Sequence, residues 1–388
     1  MQRIQRVADR YVNAQQFAGI EWLIERDGEV AARGSSGVAD HASGTAIPKR
    51  ALYRIYSMTK PIVSLMALML IEQGKLRLFD MLQAFDADFA NLRVLGADGS
   101  LVPAQRPVMV EDLLTHRAGF SYEFIVGCQI APYYREARVS GDGSKTLEEM
   151  MDVLAGLPIA HQPGSAFRYG VSTDVLAHVI QRAANRPLDE LLKEQIFDPL
   201  GMDDTGFAVA PVDAERIMPM YGSGDLDRLP PLAPQPQTLA RLDVEDMYPS
   251  DRPGKFIRGG HGLFSTLDDY ARFARMLLDG RAPDGRHLIS STMHRFMQAN
   301  RLPADQLPLR IGMNVLPGYG WGLVGRVMLD QGQAVGITGQ GEFGWAGAAS
   351  TFFWVDPSMN LTGTIMTQYA GSALPLADDI RTAAYASL

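Results

Sequence analysis

Cysteine is almost missing from this chain: there is one, Cys128, in 388 residues. That excludes an internal disulfide framework and leaves an isolated thiol that reads as packing rather than chemistry. Lysine is nearly as scarce, with six residues at 49, 60, 75, 145, 193 and 255. No apolar run approaches the roughly 18 residues of a membrane span, so no membrane span is expected. The histidines (41, 116, 161, 178, 261, 287 and 294) are scattered, without the i, i+4 pairing of a zinc helix, and neither a metal nor a cofactor is expected. His261, between Gly260 and Gly262, stands out among them, with a structural role the expectation. No Gly-x-Ser-x-Gly elbow occurs. A basic patch is also lacking, and the formal net charge is −8, which argues against nucleic acid as a partner. Residues 1–16 lack a signal peptide's apolar stretch, because Arg3, Arg6, Asp9 and Arg10 interrupt it; the expectation is a cytoplasmic protein. Oligomeric state is not readable from these features.

What is present is ordinary globular composition, 46% hydrophobic and 21% charged. The length suits one large domain or two intertwined ones. The most informative stretch is Ser57-Met58-Thr59-Lys60, at the start of an apolar run of Ile62, Val63 and Leu65 to Ile71 that ends at Gly74. A helix apolar on nearly every face is a buried one. Lys60, at i+3, shares a face with Ser57. A serine hydroxyl becomes a nucleophile when a neighbour takes its proton, and a lysine does so only if burial disfavours its charged form. The bland alternative makes Ser57 a helix cap and Lys60 a surface cation. Against it, no other lysine has a serine three residues before it.

Ile4, Val7, Ala8 and Tyr11 follow a helical period. Residues 19–26 read as a strand, Asp27-Gly28 as a hairpin turn, and 29–34 as the returning strand. Helices are expected at 146–157, 173–184, 267–278 (capped by Ser265 or Thr266) and 376–385. Residues 208–256 read as an extended loop. Strands are expected at 321–329, 334–338, 348–355 and 360–368, with Asp356-Pro357 turning between the last two. Strands near both ends and helices between them predict an α/β fold of the α+β type. In it, an antiparallel β-sheet flanked by helices is built from both chain ends and carries a mostly helical insertion. The expected division is 1–68 with 256–388 for the sheet domain and 69–255 for the helical one, with the active site between them.

The chain resembles the serine β-lactamase and penicillin-binding-protein superfamily, and within it the class C-like family VIII carboxylesterases. The motifs that carry the resemblance stand in the family's order. They are Ser57-Met58-Thr59-Lys60; Leu113-Leu114-Thr115-His116-Arg117-Ala118-Gly119; Phe167-Arg168-Tyr169; Phe197-Asp198-Pro199-Leu200-Gly201-Met202; Gly259-Gly260-His261-Gly262-Leu263-Phe264-Ser265; and Gly344-Trp345-Ala346-Gly347. The resemblance implies Ser57 as the acylated nucleophile, Lys60 as the group sharing its proton, and Tyr169 as the phenol that helps accept and return it. It implies an oxyanion hole from the backbone amides of Ser57 and Ala348, with Gly347 permitting the close approach. A cationic neighbour is expected to lower the Tyr169 phenol toward the working pH. Pocket walls are expected from Tyr122, Phe124, Tyr133, Tyr134, Met247, Tyr248, Trp345 and Gly347.

Two departures bear on substrate. Where β-lactamases of this type carry Lys-Thr-Gly, this chain has Trp345-Ala346-Gly347, and no lysine follows Lys255. The asparagine two residues after the tyrosine is replaced by Val171. Both remove polar anchors for a carboxylated amide and favour a neutral ester. The function implied is a carboxylesterase for short-chain or aryl esters, working through an acyl-enzyme. The alternatives are β-lactamase or D-amino-acid peptidase activity, acyl transfer, and, least, a non-catalytic binding member.

Overall fold

Both ends of the chain build one sheet. The computed structural model describes residues 2–222 and 239–387. Its main strands are β1 (Gly19–Arg26), β2 (Glu29–Gly37), β3 (Tyr319–Trp321), β4 (Arg326–Met328), β5 (Phe343–Ala346), β6 (Phe352–Asp356) and β7 (Leu361–Thr367). They lie antiparallel in the order β3-β4-β5-β6-β7-β1-β2. The N-terminal hairpin thus pairs with the last long strand, Ile20 opposite Thr367 and Ile24 opposite Gly363. Asp27 and Gly28 close that hairpin with φ of 51° and 82°, the left-handed values a two-residue turn of this hand requires.

The helices used below are α1 (Gln2–Asn13), α2 (Thr59–Glu72), α3 (Leu147–Ala155), α4 (Ser172–Ala184), α5 (Leu267–Asp279) and α6 (Leu376–Tyr385). The two-residue period of the strands sorts side chains onto the two sheet faces. Ile20, Trp22, Ile24, Phe352 and Trp354 face α1 and α6, where Ile4, Ala8, Tyr11, Ile380 and Ala384 meet them. Leu23, Phe353, Val355 and Met366 point the other way, into a core continuous with α5, α2 and α4. Every residue of α2 from Thr59 to Leu70 is buried, and the helix packs against α4. Thr146 caps α3 with a reciprocal Glu149 contact, and Thr266 caps α5 through the Asp269 N–H. Among the described residues no helix is long and apolar enough to cross a membrane.

The helices expected from the sequence fall within a residue or two of that reading, while the helix Ser291–Gln298 was not read and the later strands depart from it. Residues 321–329, read as one strand, split into β3 and β4 around Gly322 and Gly325. Residues 334–338 form no strand: Val335 is 80% exposed, and among the described residues no strand pairs with this stretch. The strand lies later, at β5, whose glycine and turn-rich flanks hid it. The stretch 208–256 is not only loop. It holds a 3-10 turn at Pro211–Arg216 and strands at Met220–Gly222 and Ala240–Leu242; the first pairs with both the second and Tyr369–Ala370. Its residues 223–238 lie outside the described ones. A small hairpin, Leu309–Ile311 with Asn314–Leu316, was not legible in the sequence.

Candidate active site

Ser57 occupies a 3-10 turn, Tyr56–Met58, that feeds into α2. It is not the helix cap: that position belongs to Met58, which makes no side-chain cap. Tyr56 sits at φ +44°, a left-handed conformation a bulky residue adopts only when its surroundings hold it there. They do: its ring packs 4.9 Å from that of Tyr248, and the Tyr270 hydroxyl donates to the Met58 carbonyl at 2.8 Å. The Ser57 hydroxyl is thereby left for chemistry.

Lys60 is buried, and its amine makes three contacts. It donates to Ser57 Oγ at 3.1 Å, to the Tyr122 hydroxyl at 2.7 Å and to the Gly260 carbonyl at 2.7 Å. Burial draws its pKa down from the ordinary 10.5 to about 7, against an opposing pull from Asp174. Asp174 acts through space, since its carboxylate accepts from the Gly260 N–H at 2.9 Å rather than from the amine. Burial pushes Asp174 itself up, with Lys60 pulling it back. Gly260 therefore bonds the carboxylate on one side and the amine on the other. A Cβ there would lie 2.4 Å from Asp174 Oδ2 and 2.8 Å from the Tyr122 hydroxyl, so only glycine fits.

Tyr169 stands on the other side of Ser57. Its ring centroid is 4.8 Å from the Lys60 amine, its phenol accepts from Trp345 Nε1 at 3.0 Å, and it hydrogen-bonds Ser57. Its pKa does not fall, as the sequence suggested, but rises. Burial dominates, and the hydrogen bonds to Ser57 and Trp345 offset it only in part. A phenolate in this apolar box of His116, Trp321 and Trp345 would lack solvent. Beneath the ring, the His116 imidazole is held well below its usual pKa, first by burial and then by the Lys60 charge. The resting site therefore pairs an amine poised near neutrality with a phenol that keeps its proton.

Ser57 and Ala348 meet at the junction of two cavities. Among the described residues no backbone acceptor takes either N–H. The approach depends on Gly347: a Cβ there would stand 2.4 Å from the Ile55 carbonyl. One cavity is small, about 130 Å³, and lined by Tyr122, Phe124, Met247, Tyr248 and His261. The other is about 650 Å³ and takes in Phe124, Tyr169, Trp345 and Gly347. Tyr133 and Tyr134 join neither. The short helix Ala131–Glu136 turns Tyr133 outward, 45% exposed, and buries Tyr134, whose hydroxyl reaches the Pro158 carbonyl at 3.1 Å.

Sequence reasoning missed three features here: Tyr122 as a partner of the lysine rather than a plain wall, Trp345 as a donor to the tyrosine, and Asp174. Asp174 looks like any acidic residue in a helix's first turn. The doubled glycine at 259–260 was the one signal of a tight approach there. Among the described residues no cluster of three or more His, Cys, Asp or Glu could hold a metal.

The sheet with its buried central helix, and a serine, lysine and tyrosine gathered at that helix's start, belong to a recognisable class. The Beta-lactamase family matches residues 4–387, and the chain belongs to it. It is an enzyme, a serine hydrolase. A Mycobacterium tuberculosis protein described as uncharacterised is 35% identical over 86% of this chain and 81% of its own length. Esterase EstB of Burkholderia gladioli is 29% identical over 99% of this chain and 95% of its own. Among solved structures, EstCE1, titled a hydrolase with promiscuous acyltransferase activity, superposes with a TM-score of 0.82 at 24% identity, covering 99% and 98% of the two chains.

Proposed function

We propose that the protein is a carboxylesterase that cleaves short-chain or aryl esters through an acyl-enzyme on Ser57. One observation carries the reading: a lysine amine, brought to about 7 by burial, lies 3.1 Å from the Ser57 hydroxyl. At neutral pH a large fraction of that amine is unprotonated and able to act as a base. Ser57 Oγ bonds to the ester's acyl carbon while Lys60 takes its proton. The negative charge on the former carbonyl oxygen meets the N–H groups of Ser57 and Ala348. As the C–O bond to the alcohol breaks, the Tyr169 phenol gives its proton to the leaving oxygen. The Lys60 ammonium, 4.8 Å from the ring centroid, offsets the phenolate's charge and restores the proton. Water then attacks the acyl carbon by the same route, releasing the acid and returning the proton to Ser57.

Trp345, standing where a lysine would hold a carboxylate, gives the large cavity an apolar wall, and the one guanidinium among that cavity's described lining residues, Arg326, is paired with Glu342. Val171, standing where an amide would hold an amide, is buried and lines neither cavity. The name of the EstB relative agrees with an ester substrate. The test compares p-nitrophenyl acetate and butyrate turnover by wild type and Ser57→Ala, with nitrocefin alongside. Ester turnover exceeding nitrocefin turnover, with the alanine variant at background, is expected. Full activity in Ser57→Ala, or nitrocefin turnover the faster of the two, contradicts the reading.

A further inference from the structure

Resting on the esterase reading, we infer that the two cavities meeting at Ser57 divide the substrate: the acyl group enters the small arm, the alcohol occupies the large one, and Met247 sets the acyl length. The direction follows from the proton. The leaving oxygen must reach the group that protonates it, and Tyr169 lines the large arm but, among the described residues, not the small one. The acyl carbon is fixed at the junction by Ser57 and by the Ala348 amide, both of which line both arms. With the alcohol on the Tyr169 side, the acyl chain has the other arm left.

The small arm limits what it accepts in two ways. Its volume, about 130 Å³, is close to that of a cavity that holds benzene. An acetyl, butyryl or benzoyl group fits such a space and a long alkyl chain does not. Part of its wall is polar, lined by Glu123, Arg135 and Ser140: the Glu123 carboxyl accepts from Ser140 Oγ at 2.8 Å and the Ser140 N–H at 3.2 Å, and Arg135 donates to the Glu123 carbonyl at 2.7 Å. A chain long enough to reach this wall would strip water from these groups and return no hydrogen bond. Met247 lines the arm from a loop and is half-buried, so its size can change without opening the core. The large arm is walled mostly by apolar residues such as Ile125, Ile311, Leu316 and Trp345, includes the exposed Met313 and Val126, and has one guanidinium among its described lining residues, Arg326, which is paired with Glu342. It suits a bulky apolar or aryl alcohol.

The test is an acyl series of p-nitrophenyl esters from acetate to decanoate, read as kcat/KM ratios. It is paired with phenyl and naphthyl acetates to read the alcohol. In wild type the ratio of octanoate to butyrate is expected below about 0.1. Met247→Ala is expected to raise that ratio at least about tenfold, and Met247→Trp to lower the ratio of butyrate to acetate by a similar factor, the size of a one- or two-methylene discrimination. Leu316→Ala, in the large arm, is expected to change the naphthyl-to-phenyl ratio and leave the acyl ratio where it was. Acyl ratios that follow Leu316→Ala, or that ignore both Met247 variants, overturn the inference while leaving the esterase standing. No ester turnover by wild type at all would instead sink the esterase reading. Fluorophosphonate labelling of each variant confirms that its site is assembled.

Discussion

Lys60 has opposite effects on catalysis and on stability. Its pKa falls from 10.5 to about 7 on folding, so between those values the unfolded chain holds a proton that the folded one has released. Stability therefore rises with pH across that window. Below about pH 7 the charged amine is buried at a cost of about 5 kcal/mol, and above about 10.5 the cost is gone. Lys60→Met is expected to raise the melting temperature, most at pH 6 and least at pH 10, while cutting kcat by about 10²–10⁴-fold. A scan at several pH values, with activity measured beside it, checks both halves. In wild type kcat/KM should climb as a group near 7 loses its proton, and show no decline from Tyr169 up to about pH 10, because the phenol is held above its ordinary value. Trp345→Phe keeps the aromatic wall but removes the donor to Tyr169. It should lower kcat about 5- to 20-fold, near the worth of one hydrogen bond, with little change in KM.

At the scale of elements, the sequence carried most where local chemistry decides the structure. The amphipathic period of α1, the cap of α5, the turn after β1 and the all-round apolarity of α2 are local signals, and the structure places those elements as read. The strands of the second half were less legible because their existence depends on partners far along the chain. Residues 334–338 are strand-like but pair with no strand among the described residues; β5 has Gly344 in its middle and β4 and β6 on either side. The site follows the same division. Ser57 and Lys60 are one helical turn apart and readable from spacing, whereas Tyr122, Asp174 and Gly260 come together only through packing. The turn holding Ser57 and the end of β5 depend on each other at Gly347. Gly347→Ala would bring its Cβ against the Ile55 carbonyl and Thr351 Oγ1. It is expected to lower ester turnover at least about tenfold with circular dichroism unchanged; activity at the wild-type level would show that the approach is not needed.

Across the whole molecule, the site hangs between two things the chain ends control. β1 and β7, from opposite ends, pair side by side in the sheet, and α1 and α6 cover its second face, the start of α6 (Leu376 and Ala377) also reaching the large cavity at Ser57. Removing residues 2–13 would uncover the β1 side chains Ile20 and Trp22 on the face that α1 covers. A loss of melting temperature with new binding of an apolar dye is the expected result, and an unchanged transition would mean that α1 is dispensable packing. On the other face, α2 carries Lys60 inside the same core that supports α4 and Tyr169's neighbours, so burial of the helix and activation of its lysine are one physical event. The most direct measurement is mass spectrometry of enzyme quenched in the middle of p-nitrophenyl butyrate turnover. The butyryl mass is expected on the peptide containing Ser57 and absent from Ser57→Ala. A butyryl group on any other residue, or steady turnover with no acyl group on residue 57, would contradict it.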